Sequence, residues 1–93
     1  MVKPLTYKPI NLLTKKYMQL EILTPDKTIF TGEIDSATFP GSKGQFQVFN
    51  NHAAIVSSLD KGVIKIKSAE GAKQFEINGG VIEVLNNKIV VLA

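Results

Sequence analysis

The chain has 93 residues, of which 44% are apolar, and it contains no cysteine, tryptophan or arginine. This length allows one small domain and excludes a two-domain protein. Charged residues make up 20% of the chain, a composition that favours a folded globular protein over a disordered or membrane-spanning one. A domain of this size buries only about 60% of the surface of its unfolded chain, so contact with a partner would add to its stability.

The net charge of +3 is unevenly distributed. Residues 1–17 carry four lysines and no acid, whereas residues 18–93 carry seven lysines and eight acids, a balance of −1. A surface that binds nucleic acid needs clustered basic side chains, often beside aromatic rings for stacking. Only Lys65 and Lys67 share a face of a predicted strand, so we expect no nucleic-acid partner.

The absence of cysteine excludes disulfides, zinc–thiolate sites and thiol catalysis, and it favours a reducing, cytoplasmic compartment. The first residues contain no apolar run typical of a secretory signal, and Pro4 and Pro9 would break a long helix there. We interpret residues 1–17 as a flexible arm, either native or added for expression, and residues 18–93 as the folded domain.

From Met18 onward, short segments of alternating polarity are separated by turn residues, which predicts an all-β sandwich or barrel. The predicted strands cover residues 18–24, 29–30, 33–39, 45–49, 63–68, 73–78, 81–85 and 88–93. Residues 52–59 fit either a strand or one helical turn. The connections are too short for crossover helices, which excludes a parallel α/β sheet.

Three details of this pattern make further predictions. The apolar face changes between Ile34 and Ala37, which predicts a β-bulge near Ser36 within one strand. Pro40 lacks an amide donor and is followed by two glycines, so we expect the strand to end in an exposed loop. Residues 89–93 have no polar alternation, so both faces should be covered, by the core and by another chain.

Residues suited to catalysis are few. His52 is the one histidine, and Ser57, Ser58 and Asp60 lie near it, but a catalytic triad requires a specific geometry and no nucleophile elbow surrounds either serine. One histidine also makes a poor metal site. The glycines of residues 41–44 lack the spacing and the following helix of a phosphate-binding loop. We therefore expect no enzymatic activity, no metal and no cofactor.

Seven segments, in this order and spacing, carry a resemblance to a known family. They are LEILTP (20–25), FTGEI (30–34), PGSKG (40–44), NHA (51–53), GVIKI (62–66), GGVIEV (79–84) and VVLA (90–93). Together they closely resemble the epsilon subunits of F-type ATP synthases over residues 18–93. The resemblance implies a flattened β-sandwich of about ten short, mostly antiparallel strands in two sheets, and a non-catalytic role in the rotor, which couples proton or sodium flow to ATP synthesis.

The resemblance also implies two partners, the gamma subunit and the ring of c subunits, at the cytoplasmic face of the bacterial plasma membrane. The residues matching the c-ring contact are Gly41, Ser42, Lys43, Gly44 and Gln45. The residues matching the gamma contact are His52, Ala53, Ile55, Ser57, Gly79, Gly80 and Val81.

The chain departs from the family pattern at three places. Members often carry acids at the positions of Lys43 and Gln45, so the electrostatic contact with the c-ring should be altered or reversed. Residues 50 and 51 are both asparagine, where Pro and Gly are common. Members usually continue into two C-terminal helices that in many bacteria restrain ATP hydrolysis and in some bind ATP, and a chain that ends at Ala93 is expected to lack both activities.

The alternative function is a stand-alone β-sandwich module that binds a small molecule or a peptide. Such a module needs an apolar concavity with converging polar groups, whereas a rotor subunit needs broad exposed faces. A barrel that binds single-stranded nucleic acid is disfavoured by the nearly neutral domain and the absence of arginine.

Overall fold

The computed structural model describes residues 17–50 and 53–93, which form nine β-strands. The strands are β1 (Met18–Leu23), β2 (Thr28–Ile34), β3 (Ser36–Gly41), β4 (Gly44–Phe49), β5 (Ile55–Leu59), β6 (Gly62–Ser68), β7 (Gly71–Ile77), β8 (Gly80–Leu85) and β9 (Lys88–Leu92). In these two ranges no helix is long and apolar enough to cross a membrane. The predicted arm lies outside the described residues except for Tyr17, and so does His52.

The strands form a sandwich of two layers. Hydrogen bonds connect them in the order β2-β1-β9-β8-β5-β3-β6-β7, and β4 pairs with β3. Between β3 and β5 the described ladder has one residue pair, Gly41 with Leu59, and there the sheet passes from the layer β2-β1-β9-β8-β5 to the layer β4-β3-β6-β7. At the other side Phe30 and Phe75 bring the layers together, with ring centroids 5.3 Å apart. This confirms the predicted all-β sandwich, with nine described strands in one continuous curled sheet where about ten in two sheets were expected.

Strand pairing is antiparallel at every described ladder except one. β1 and β9 run parallel, with Leu20 beside Ile89 and Ile22 beside Val91. Parallel neighbours need a long connection, and here the connection is the rest of the domain. The first and ninth strands therefore lie side by side within one layer.

The core follows from the two-residue alternation of apolar side chains, because successive side chains of a strand point to opposite faces. β1 buries Met18, Leu20 and Ile22, as the pattern predicts. The other buried apolar residues are Ile34, Ala37, Phe39, Val48, Leu59, Ile64, Ile66, Ile77, Ile82, Val84, Ile89 and Val91. These fifteen side chains form one cluster between the two layers.

The prediction of one bulged strand over residues 33–39 is wrong. β2 ends at Ile34 and β3 begins at Ser36, with a bend at Asp35 between them. Ile34 belongs to the ladder with β1, whereas Ser36 pairs with β4 and β6. The predicted change of face is real, but its physical cause is that the chain crosses from one layer to the other.

The prediction that the strand stops before Pro40 is also wrong, because β3 continues through Pro40 to Gly41. Pro40 is opposite Gln45 in the ladder with β4, and its carbonyl accepts a hydrogen bond from the Asp60 amide, with an N–O distance of 2.8 Å. Proline provides the acceptor that this position uses, so the missing amide donor does not interrupt the strand.

Two-residue turns close three of the four described hairpins, and residues 24–27 close the β1–β2 hairpin. Asn86 and Asn87 both have positive φ, 52° and 63°, as a type I′ turn requires, so the predicted compact turn is confirmed. Ala69 and Glu70 connect β6 to β7. Residues 55–59, ambiguous in sequence, form β5.

β9 is covered fully on one side only. Ile89 and Val91 are buried in the core, whereas on the opposite side Val90 is half-buried and Leu92 is 56% exposed. The core therefore covers one face, and cover of the other face by another chain stays a prediction.

We expect Ile82→Ala to lower the free energy of unfolding by about 2–5 kcal/mol, because it removes a fully buried side chain and leaves a cavity. Val56→Ala is the control: the side chain is 72% exposed, and the change should stay within about 0.5 kcal/mol. Equilibrium urea unfolding measures both. Equal losses would contradict the assignment of these faces.

Candidate protein-interaction surfaces

The residues predicted to contact the c-ring form the tip of the β3–β4 hairpin, which we call the hairpin tip (residues 41–45). Gly41 and Gly44 are the last pair of the ladder, and Ser42 and Lys43 are the turn residues between them. Ser42, Lys43, Gly44 and Gln45 are exposed. The structure therefore brings this predicted set together at the surface.

The hairpin tip is bonded to the end of β5. The Ser42 amide donates to the Ser58 carbonyl at 3.1 Å. The Ser42 hydroxyl donates to the Asp60 carboxylate at 2.9 Å, and the Ser58 hydroxyl donates to the Ser42 hydroxyl at 2.9 Å. Ser42 therefore takes part in three hydrogen bonds that fix the hairpin tip against β5.

The residues predicted to contact gamma lie along the β5–β8 ladder and before it. Ser57 pairs with Ile82 and Ile55 with Val84; both β5 residues are half-buried, on the same side as Leu59. The remaining described members are exposed Ala53 before β5, half-buried Gly79 and Gly80, and Val81, which is 44% exposed. The set thus includes both faces of the ladder.

Gly80 is needed where β8 meets β9. Its φ is +150°, and a side chain there would collide with the Leu92 carbonyl and with Ala93. Gly79 also has a positive φ, +132°, and lies close to the Leu59 carbonyl. The two glycines therefore allow close contact with the backbone of Leu59, Leu92 and Ala93, which belong to the same chain.

Exposed apolar side chains cluster on the outward side of β5, β8 and β9. Val81 is directly opposite Leu92, and Val56 is opposite Glu83. We call Val56, Val81, Leu85 and Leu92 the outer apolar face; they are 72%, 44%, 52% and 56% exposed, respectively. Exposed apolar clusters of this kind are typical of protein-interaction sites.

The two predicted contact sets meet at one place. Leu59 pairs with Gly41 of the hairpin tip on one side and with Gly80 on the other. These three residues form a row across β3, β5 and β8. The hairpin tip is therefore paired, through Leu59, with the strands that carry the outer apolar face.

The groove on the outside of β3, β6 and β7 is polar. It has a volume of about 530 Å³, and eight of its eleven lining residues are polar, including Gln45, Gln74, Lys65 and Lys67. Within residues 17–50 and 53–93 no group of three His, Cys, Asp or Glu side chains could hold a metal ion.

The comparison with protein families decides the assignment. The profile described as "ATP synthase, Delta/Epsilon chain, beta-sandwich domain" matches residues 17–93. The chain belongs to this family. Curated relatives include the ATP synthase epsilon chains of Leptospira borgpetersenii, 37% identical over 75 residues, and of Nitratiruptor sp., 42% identical over 76 residues. Each match covers 81% of this chain and 59% of the relative, so the chain spans less than two thirds of these epsilon chains.

Solved structures support the fold of this delta/epsilon-type domain. A chain of the Euglena gracilis mitochondrial ATP synthase superposes with a TM-score of 0.78 at 20% identity, covering 84% of this chain and 51% of that one. A chain of the Tetrahymena thermophila mitochondrial ATP synthase central stalk and c-ring gives 0.67 at 20% identity, covering 81% and 61%. The resemblance inferred from the seven sequence segments is confirmed at the level of family and fold.

Sequence reasoning missed two features of this delta/epsilon-type domain. The first is the exposed apolar side chain of Val56. Its exposure was not predicted, because residues 52–59 fitted either a strand or a helical turn and the outward positions could not be assigned. The second is the bond between Ser42 and Asp60, which are 18 positions apart. Alternation could have indicated the first, but no local pattern encodes the second.

We expect Gly80→Ala to destabilise the domain far more than Gly71→Ala. Gly71 also has a positive φ, +114°, but nothing lies within 4 Å of an added Cβ, so its replacement should cost only the backbone strain of about 1–3 kcal/mol. Gly80→Ala adds a collision with backbone atoms. Urea unfolding of both variants measures the difference, and equal costs would refute the tight packing of β8 on β9.

Proposed function

We propose that the chain provides the β-sandwich of an epsilon-type, non-catalytic subunit in the central stalk of a proton- or sodium-translocating ATP synthase. The observation that carries this proposal is the family match over residues 17–93, together with relatives named ATP synthase epsilon chain. In this proposal the domain links the gamma subunit to the c-ring at the cytoplasmic face of a bacterial plasma membrane, and ion flow is coupled to ATP synthesis through that link.

The hairpin tip is the proposed contact with the c-ring. It is exposed, it is held by three hydrogen bonds of Ser42 and it presents Lys43 to solvent. A cationic turn residue favours an acidic or carbonyl-rich partner loop, because complementary charge speeds encounter and fixes orientation.

The β5–β8 region is the proposed contact with gamma. The outer apolar face gives this region the apolar character that stable subunit interfaces have at their centres. Ala53, Ile55, Ser57 and Val81 lie on or beside the same two strands, and His52 precedes them in the chain. A long partner packed along β5 would contact both the exposed start of this segment and Val81.

The alternative of a free-standing binding module is less well supported. The relatives named above are chains of a larger complex, the ATP synthase. Copurification of gamma and the c-ring with the tagged chain, from cells that produce all three, tests the proposal. Recovery of neither subunit would refute it.

We expect Lys43→Glu to change the rate of association with the purified c-ring several-fold at low ionic strength, because rim charges act mainly on encounter. The effect should shrink as salt rises and screens the charge. Lys88→Glu is the matched control. Gly80, next to Val81, is in the same row as Gly41 of the hairpin tip, and Lys88 lies at the other end of the β8–β9 ladder. Surface plasmon resonance at several salt concentrations measures both, and an unchanged rate for Lys43→Glu would remove the hairpin tip from the interface.

We expect Val81→Lys to weaken binding to gamma about tenfold or more, because it places a charge where Val81 and Leu92 form an apolar pair of the proposed interface. Ala72→Lys, on an exposed position of β7, is the control with the same new side chain. Titration calorimetry with purified gamma gives the affinities, and circular dichroism verifies the fold. Equal affinities of the two variants would exclude the outer apolar face.

A further inference from the structure

We propose that Ser42 and Asp60 are positioning residues that clamp the hairpin tip to β5, so that the proposed c-ring contact keeps a fixed place relative to the proposed gamma contact. The inference rests on the proposed function, because it assigns a mechanical role to residues between two partner sites. Asp60 lies outside the proposed c-ring contact, whereas Ser42 belongs to it, so the readout that separates clamping from direct contact is hydrogen exchange at Asp60 in the free chain.

Four hydrogen bonds surround the Gly41–Leu59 pair. Two are between backbones, from the Ser42 amide to the Ser58 carbonyl at 3.1 Å and from the Asp60 amide to the Pro40 carbonyl at 2.8 Å. Two are between side chains, Ser42 to Asp60 and Ser58 to Ser42, each 2.9 Å long. Like the backbone bonds, the side-chain bonds connect the hairpin tip to the end of β5. A hydrogen bond to an ionised carboxylate, such as that of Ser42 to Asp60, is stronger than one between neutral groups.

The clamp adds to the few contacts that hold the hairpin tip, which are the ladder with β4 and the two backbone bonds to the end of β5. The ladder of β3 with β6 includes Ser36, Ala37 and Thr38, so β3 extends beyond its partner for the last residues of the strand. On the solvent side nothing lies within 4 Å of where a Cβ of Gly44 would be. A two-stranded hairpin alone is only marginally stable in water, so without the clamp the tip would be held to β5 by the two backbone bonds alone and would move more freely.

β5 continues the path from the clamp towards the other contact. Asp60 follows this strand and Ala53 lies shortly before it, so β5, about 17 Å long at the rise of an extended strand, connects the clamp to the Ala53 end of the proposed gamma contact. β5 is also bonded along its length to β8, the strand of Val81. A force on the hairpin tip would thus reach the gamma side through hydrogen-bonded strands.

The test compares Ser42→Ala with Ser68→Ala in the full chain. Ser68 is a matched control, because its hydroxyl also bonds within a hairpin, donating to the Gly71 carbonyl and accepting from the Glu70 amide. We expect Ser42→Ala to speed hydrogen exchange of the Asp60 amide and to weaken c-ring binding about two- to tenfold, the range of one or two net hydrogen bonds. Ser68→Ala should change neither, and Ser42→Thr, which keeps the hydroxyl, should restore both.

Further outcomes separate this inference from the proposed function. If Lys43→Glu alters c-ring binding and Ser42→Ala does not, the clamp is refuted and the c-ring contact stands. If the unaltered chain does not bind the c-ring, the proposed function fails; unchanged exchange at Asp60 in Ser42→Ala would then refute the clamp independently. A Ser42→Ala effect that Ser42→Thr does not restore would also overturn the role of the hydroxyl.

Discussion

The junction between the two layers depends on the approach of backbones at one crowded crossing. Gly41 pairs with Leu59 there, and an added Cβ on Gly41 would lie 2.6 Å from the Gly44 carbonyl oxygen. An added Cβ on Gly62 would lie 2.8 Å from Pro40. These two contacts pack the end of β3 tightly against β4 and β6, and the Gly41–Leu59 pair joins it to β5, so the hairpin tip gains a fixed base. The proposed contacts with both partners depend on that base.

Much of the fold was predictable because alternation records which side of a strand is buried. Met18, Leu20 and Ile22 of β1 follow that rule, and the paired asparagines at 86 and 87 indicate their turn. The errors concern places where a local pattern has two physical causes. A change of face at Ser36 can arise from a bulge or from a change of layer, and only the pairing of β3 with β4 and β6 distinguishes them.

The candidate sites were predictable to a different degree. The resemblance supplied the hairpin tip and the β5–β8 region, and the structure places the members of the first set side by side. It could not supply Val56 or the Ser42–Asp60 bond. Side-chain hydrogen bonds between distant residues depend on the register of several strands at once, and a single sequence does not reveal that register. Contacts that depend on tertiary placement were therefore the ones missed.

The parallel pairing of β1 with β9 has a consequence for how the domain is made. β9 occupies the gap between β1 and β8, so during translation the ribosome must release the ninth strand before the first can complete its ladder. Contacts between such distant parts of a chain slow folding and leave strand edges exposed meanwhile. The nascent domain must remain incompletely folded, and open to chaperones, until Leu92 has left the ribosome.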